Sequence, residues 1–192
     1  MENYLFDFEN ITGKPGRKTS LICIMKLLLS IFILIPSLWF SQQNLEWSRQ
    51  NRLSFDDFKG EIGISTAAAV SSVSIKFKIL SQSIWTGRIK VKIYADFDQL
   101  SSWVKPEYKT LQLLAHEQGH FDIAEIFAKK LQKKIDVEIK GSQDFIEKFQ
   151  KTYDDMYKEH LEFQDKYEID TDMGRDFKKQ EEYSKLIKEM LY

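Results

Sequence analysis

The chain has 192 residues, a length that favours one domain with a short extension. Hydrophobic residues make up 43% of it and aromatic residues 14%, which is enough to build a packed core. Because 28 basic residues nearly balance 29 acidic ones and no basic stripe occurs, we expect no nucleic-acid partner.

The first predicted element is an apolar run, LLLSIFILIPSLWF, at residues 27–40. A membrane-spanning helix needs about 20 apolar residues, so this shorter run fits the centre of a secretory signal peptide instead. It follows Met25 and Lys26, which supply the start and the positive charge of such a signal. We therefore predict an upstream extension of the reading frame at residues 1–24 and a signal peptide at residues 25–41.

The predicted signal sends residues 42–192 out of the cytoplasm, so we expect a periplasmic or extracellular protein without stable membrane insertion. Trp39 and Phe40 depart from the small residues of a cleavage site near Ser41, so an uncleaved N-terminal membrane anchor is the alternative. The only cysteine, Cys23, precedes the apolar run. The exported part therefore has no thiol, and any zinc there needs nitrogen and oxygen ligands.

The next segments predict strands. Residues 52–60, RLSFDDFKG, predict a short strand that ends at a glycine turn, with Phe55 and Phe58 as core residues. Two longer segments, at 73–79 and 89–97, alternate apolar and polar residues. That alternation is typical of half-buried strands, and the glycine-containing loop between them indicates an antiparallel hairpin.

A long helix is predicted from Pro106, which suits a first helical turn, to about Ile139. It contains the sequence HEQGH, with His116 and His120 four residues apart and Glu117 directly after the first histidine. Residues four apart lie on one face of a helix, so both imidazoles can bind the same divalent ion. Glu117 lies about 100° further round the helix, beside that ion and free to act as a general base.

Two imidazoles and a third protein ligand are typical of catalytic zinc, which keeps a position for water and lowers the pKa of that water to about 7. The motif therefore predicts peptide-bond hydrolysis with zinc ligands His116 and His120 and the catalytic residue Glu117. The alternative is an ordinary helix, because so short a motif also occurs by chance. Two of the three histidines in the chain fall at ligand spacing, which favours the metal site.

A second helix is predicted after Gly141, with Ser142 as its N-cap. Its apolar stripe consists of Phe149, Tyr153, Met156, His160, Phe163 and Tyr167. His160 is therefore a candidate third zinc ligand, and the alternative is a core histidine satisfied by a hydrogen bond. The oxygen alternatives for the third ligand are Glu168, Asp170 and Asp172.

A final helix is predicted from about Arg175 to Tyr192. Its expected packing face consists of Phe177, Tyr183, Leu186, Ile187 and Met190.

The segments RLSFDDFKG, FDQLSSWVK, HEQGHFDIAEIFAKKL and YEIDTDMG resemble the secreted bacterial proteins grouped as domain of unknown function 922. The resemblance implies a zinc-dependent protease in which His116 and His120 bind zinc and Glu117 is the catalytic acid and base. It also implies a histidine before the last glycine, where this chain has Met173. A thioether is a poor zinc ligand, so His160 or an acidic neighbour such as Asp172 is left as a substitute.

Together these patterns predict an α+β, zincin-like domain at residues 42–192: a small antiparallel sheet, a metal-binding helix packed on it and two further C-terminal helices. The predicted function is that of a secreted zinc peptidase with a peptide or protein substrate. Met173 motivates the alternative of a catalytically degenerate relative that binds zinc or a protein partner. A structural zinc is disfavoured, because closed sites take four ligands, usually with cysteine. The oligomeric state stays open.

Overall fold

The computed structural model describes residues 44–192, so the predicted upstream extension (1–24) and signal peptide (25–41) lie outside the described residues. This part of the chain combines a small antiparallel sheet with three long helices, which confirms the predicted α+β class. Within residues 44–192, no helix is both long and apolar enough to cross a lipid bilayer.

The predicted hairpin is confirmed and forms the main sheet. Strand β3 spans Val73–Gln82 and strand β4 spans Ile89–Asp98, paired antiparallel with Ile75 opposite Ala95. Alternate side chains of β4 are buried, and Phe97 is fully so, because every second residue of a strand faces the same side. The hairpin thus presents one apolar face to the helices.

A short N-terminal strand completes this sheet. Strand β1, Asn44–Glu46, pairs antiparallel with the other edge of β4 and gives the strand order β1, β4, β3. Three residues are too few to show an alternation, so this strand was not predicted. The segment after it is fixed to the first helix, because Trp47 and Arg52 donate hydrogen bonds of 2.8 and 2.9 Å to the Asp122 carboxylate.

The strand predicted for residues 52–60 is wrong. The segment contains a single 3-10 turn, Phe55–Asp57, in which the Asp57 carboxylate accepts hydrogen bonds from the backbone N–H and the hydroxyl of Ser54, both at 2.8 Å. Such local bonds give the backbone an alternative to a strand ladder. Phe58 still packs on the core, with its ring edge-on to a ring of β4.

A second, two-stranded sheet was not predicted. Strands β2, Ala69–Val70, and β5, Trp103–Val104, pair antiparallel with Ala69 opposite Val104. Strand β2 contacts the first helix. Its residue Ala69 lines the same cavity as His116 and Glu117 of the HEQGH sequence.

The first helix, α1, spans Leu111–Glu138 and carries the HEQGH sequence near its N-terminal end. It begins later than predicted, because residues 106–108 form a separate 3-10 turn and Thr110 caps α1 by accepting the N–H of Leu113. Helix α1 packs on both strands of the hairpin and on both later helices. It is the central element of the fold.

The two later helices are present as predicted. Helix α2 spans Ser142–Asp170, and helix α3 spans Phe177–Leu191. The predicted face of α3 is partly wrong, because Phe177 and Leu186 are 71% and 42% exposed. Gln180 is buried on that face instead, and an apolar pattern does not reveal a buried amide.

Candidate metal centre

Three side chains converge near the N-terminal end of α1. Nε2 of His116 lies 3.2 Å from Nε2 of His120, and a single carboxylate oxygen of Glu168 lies 2.9 and 3.2 Å from those two nitrogens. Helix α1 supplies both histidines, and the last turns of α2 supply the glutamate. The three residues form a group that could hold a metal ion.

The opposite ring nitrogens of the two histidines are each bound by a glutamine. Nδ1 of His116 lies 3.1 Å from the amide oxygen of Gln180, and Nδ1 of His120 lies 2.6 Å from the amide oxygen of Gln164. An amide oxygen only accepts, so each Nδ1 carries the proton that it donates. In a neutral ring the lone pair is then on Nε2, the atom that faces the centre of the group.

The donor set fits a divalent transition metal. Two imidazole nitrogens and one carboxylate oxygen are a known ligand set of catalytic zinc. Ligand atoms around a tetrahedral zinc ion lie about 3.3–3.6 Å apart, given metal–ligand distances of about 2.0–2.2 Å. The three separations of 2.9, 3.2 and 3.2 Å are shorter than this, so the side chains would have to move apart by a few tenths of an ångström to admit the ion.

Tyr167, a residue of α2, packs against both histidines of α1. Its ring stacks on His116 with centroids 4.9 Å apart and meets His120 edge-on at 5.0 Å. Its hydroxyl lies 2.8 Å from the amide nitrogen and 3.2 Å from the amide oxygen of Gln180, so it holds that side chain beside His116. Gly119 makes this packing possible, because a Cβ there would lie 2.2 Å from the tyrosine oxygen. The glycine inside HEQGH is therefore a packing requirement.

A left-handed turn follows α2 and packs against the His116 ring. Asp172, Met173 and Gly174 all have positive φ values, of 50°, 55° and 76°. At Gly174 the backbone approaches the imidazole so closely that a Cβ would lie 2.7 Å from Cγ of His116. Non-glycine residues rarely adopt this region, and such strain clusters at functional sites.

Glu117 lies beside the group and is free for chemistry. It is 6% exposed, and it faces a cavity of about 480 Å³ together with His116 and Glu168. Within residues 44–192 its carboxylate forms no hydrogen bond and no ion pair. A buried carboxylate normally has a partner, so this one is available to a molecule in the cavity.

The cavity wall combines backbone, apolar and charged groups. Residues 66–69, which lead into β2, line one side, and Tyr108, Met173, Arg175 and Phe177 line the rim. Met173 is 58% exposed and Phe177 is 71% exposed, so the rim offers apolar surface to solvent. The cavity therefore places polar, charged and apolar groups together beside the candidate metal ligands.

The charges of the group stabilise each other when no metal is bound. Hydrogen bonds from His116 and His120 hold the pKa of the Glu168 carboxyl well below its usual range. Burial alone would lower the pKa of His120, but its hydrogen bond to Glu168 and the nearby charge of Glu117 raise it above its ordinary value. Glu168 and the two imidazole rings thus favour each other's charged forms in the metal-free site.

The structure brings together some of the predicted site residues and not others. His116, Glu117 and His120 share one site, and the third ligand position is taken by Glu168, one of the oxygen alternatives. His160, the candidate third ligand, lies outside the group, with its Nε2 on the amide nitrogen of Gln164.

The acidic alternatives near the end of α2 are also engaged elsewhere. Asp170 accepts a hydrogen bond from Tyr183, and Asp172 pairs with Arg175. The orienting residues Gln164 and Gln180 were missed. Gln164 lies one turn before Glu168 on α2, and that spacing is the only signal that marks it in the sequence.

Comparisons of the chain with models of protein families, with curated proteins and with solved structures find no significant match. The chemistry of this α+β chain and its candidate metal centre therefore has to be inferred from its own residues.

Proposed function

We propose that this chain is an exported zinc-dependent peptidase with a zincin-like fold, related to the domain of unknown function 922 proteins. One observation carries the proposal: His116, His120 and Glu168 converge on one point beside the unpaired carboxylate of Glu117, inside an open cavity. An ordinary helix with packed histidines has no reason to combine these features.

Zinc is the proposed ion because of the ligand types. The group has no sulfur ligand, and its two imidazoles favour zinc over magnesium or calcium, which bind oxygen. Three protein ligands leave a fourth position for substrate or water, as catalytic zinc sites do. His116 and Glu168 line the cavity, which would keep such a position accessible.

When bound, a zinc ion supplies a Lewis acid that polarises the substrate carbonyl and makes a water molecule more acidic. Glu117 then accepts a proton from the attacking water and delivers it to the leaving amine. Its buried carboxylate supports this role, because within residues 44–192 no side chain forms a hydrogen bond or an ion pair with it, and it lines the cavity. Gln164 and Gln180 hold both imidazoles in the tautomer that leaves Nε2 free.

The proposed substrate is a peptide in an extended conformation. Residues 66–69 are small and run along the cavity into strand β2, so the backbone of a bound peptide can approach them closely. Pairing with such a strand edge is a common way to hold a peptide. This arrangement would place one peptide carbonyl next to Glu117 and the metal ligands.

The experiment compares the purified protein with Glu117→Gln, His116→Ala and the control Glu159→Gln, which changes an exposed glutamate of α2. Zinc content is measured by elemental analysis, and hydrolysis is measured with a fluorescence-quenched casein. We expect about one zinc per chain in the wild type, in the control and in Glu117→Gln. Hydrolysis should fall by about 10²–10⁴-fold in Glu117→Gln and be lost together with zinc in His116→Ala.

Two results would contradict the peptidase proposal. Full activity in Glu117→Gln would remove the proposed base. A wild-type protein that binds one zinc and hydrolyses nothing would favour the second candidate, a degenerate relative that binds zinc or a protein partner. Met173 at the cavity rim, where the related proteins are expected to have histidine, is the observation that favours this second candidate.

A further inference from the structure

Two large apolar side chains at the turn between β3 and β4 extend into solvent. Ile84 is 88% exposed and Trp85 is 92% exposed, so neither packs on the described part of the chain. Ile79 and Leu80, a few residues before them on β3, are each nearly half exposed. Single apolar side chains on a surface need no explanation, but four of them within residues 79–85 indicate an interaction site.

The backbone holds this turn in one conformation. The N–H of Ser83 donates to the carbonyl of Arg88, and the N–H of Gly87 donates to the carbonyl of Ser83, both at 2.9 Å. The carbonyl of Gly87 accepts the N–H of Ser142, the first residue of α2, at 2.7 Å. These bonds tie the turn to α2 and keep both apolar side chains directed outward. They are therefore available to a partner without a change in the fold.

The hairpin that carries this turn is positively charged. Residues 73–94 include five basic residues and no acidic residue. Three of the five form ion pairs with carboxylates of β1 and β4: Lys76, Lys78 and Lys92. Arg88 and Lys90, which lie next to the turn, form no ion pair with any residue in the range 44–192. Two unpaired positive charges therefore flank the apolar side chains.

The start of α2, which contacts the turn, does not offset this charge. Residues 140–149 contain two basic and two acidic residues. One residue of each sign, Lys148 and Asp144, forms an ion pair within the helix. The surface around the turn therefore keeps the positive charge of the hairpin, and a matching partner has to be anionic.

The charge and the small area of this surface decide which partner fits it. A second copy of the chain is unsuitable, because the same surface carries the same charge on both copies. A folded protein is disfavoured, because the side chains of one turn bury far less than the roughly 1,000 Å² of a stable interface. A bilayer with anionic phospholipids offers negative headgroups and an apolar interior, and tryptophan is enriched at the boundary between them.

We propose that the turn between β3 and β4 is a membrane-contact site: Ile84 and Trp85 enter the headgroup region of a bilayer, and Arg88 and Lys90 bind its anionic phospholipids. The contact is peripheral, because a few side chains at one turn reach only the boundary of the acyl chains. None of these four residues lines the cavity beside the candidate metal ligands. The proposal therefore does not rest on zinc binding or on the proposed peptidase function.

The test uses the full chain and measures the fluorescence of Trp85, because the apolar run at residues 27–40 can bind lipid by itself. Vesicles contain phosphatidylcholine brominated on its acyl chains, with or without phosphatidylglycerol. Bromine quenches a tryptophan only at short range. Each protein is measured with and without Trp85→Phe, which keeps an apolar ring, and the difference removes the contribution of the other three tryptophans.

We expect strong quenching of Trp85 in vesicles with phosphatidylglycerol and much weaker quenching without it. Arg88→Gln combined with Lys90→Gln should weaken the contact by about 10-fold, because each basic side chain near an anionic leaflet adds to the binding free energy. The matched control, Lys178→Gln combined with Lys188→Gln, removes the same charge from exposed positions of α3 and should have little effect.

The apolar part of the contact has its own pair of variants. Ile84→Ser should reduce the quenching of Trp85, because it removes an apolar side chain from the turn. Its control is Ile169→Ser, which changes an isoleucine of α2 that is 77% exposed and should leave the quenching unchanged. All substituted positions are exposed, so the variants should fold, and circular dichroism checks this.

Three results would overturn the proposal. The first is the absence of Trp85 quenching by vesicles with phosphatidylglycerol. The second is quenching that depends neither on phosphatidylglycerol nor on the two cations beside the turn, because anionic lipid would then have no part in the contact. The third comes from sedimentation without vesicles: a wild-type dimer that Ile84→Ser abolishes would assign the turn to self-association.

Discussion

The two ends of α1 are buried by different means. Around His116 and His120 the helix is surrounded by polar side chains, and amide groups bind the ring nitrogens. From Ile123 to Ile135 its buried residues are mainly apolar and belong to the main core cluster. We conclude that the C-terminal part holds the fold together, whereas the N-terminal part carries a group of side chains that could hold a metal ion. Substitutions in the two parts should therefore have separable effects.

The largest change in stability is expected in the apolar part. Leu131 is fully buried, so Leu131→Ala should lower the free energy of unfolding by about 2–5 kcal/mol, because it removes apolar contacts and leaves a cavity. Denaturant unfolding of the metal-free protein measures the change. The matched control is Leu161→Ala on α2, where leucine is 45% exposed and the loss should be much smaller. Equal losses in the two variants would contradict the assignment of the core.

The next effect concerns the third ligand. Glu168→Ala should lower zinc affinity by about 100-fold, at the upper limit seen for residues that only orient a ligand. The control is Glu162→Ala, which removes an exposed carboxylate from the same helix and should leave zinc affinity unchanged. Isothermal titration of the metal-free proteins with zinc gives both values. Unchanged affinity in Glu168→Ala would mean that another group completes the site.

A smaller effect is expected at the glycine between the two histidines. Alanine normally stabilises a helix by about 1 kcal/mol relative to glycine. Gly119→Ala should instead destabilise by roughly 1–3 kcal/mol and weaken zinc binding, because the new methyl group would lie 2.2 Å from the hydroxyl oxygen of Tyr167.

Gly63→Ala is the control for this substitution, since no atom lies within 4 Å of a Cβ placed there. Thermal unfolding with and without zinc compares the two variants. A Gly119→Ala protein as stable as the Gly63→Ala protein would show that Tyr167 does not have to pack against this turn of α1.

The smallest effect is a dependence of zinc binding on pH. The pKa of His120 in the metal-free site is raised by Glu168 and Glu117 against the effect of burial, so a proton competes with the metal. As the pH falls, zinc affinity should begin to drop above the ordinary histidine pKa of about 6.5, by up to tenfold per pH unit. Zinc titrations between about pH 8 and about pH 5.5 measure this. A constant affinity across the range would contradict it.

The sequence predicts features that lie within one helix or one hairpin. It does not predict which residues far apart in the chain come into contact. The hairpin and the His116–His120 pair follow from periodicities of two and of four residues within one element. Glu168 lies 52 residues from His116, and only the packing of α2 on α1 decides that this carboxylate reaches the site.

The orienting residues escape prediction for a related reason. Gln164 and Gln180 are polar residues buried on helix faces that apolar patterns define, so a search for apolar stripes passes over them. The apolar stripe of α2 makes His160 a candidate third ligand, beside the alternatives of a core histidine and of acidic ligands such as Glu168. The Gln164 side chain separates His160 from the metal ligands.

The most direct test is a crystal structure of the protein grown with one equivalent of zinc, with diffraction data collected on both sides of the zinc absorption edge. We predict a single anomalous peak at about 2.0–2.2 Å from Nε2 of His116, Nε2 of His120 and a carboxylate oxygen of Glu168. A peak at other residues would contradict the account. So would a structure without zinc in which these three side chains bind only one another.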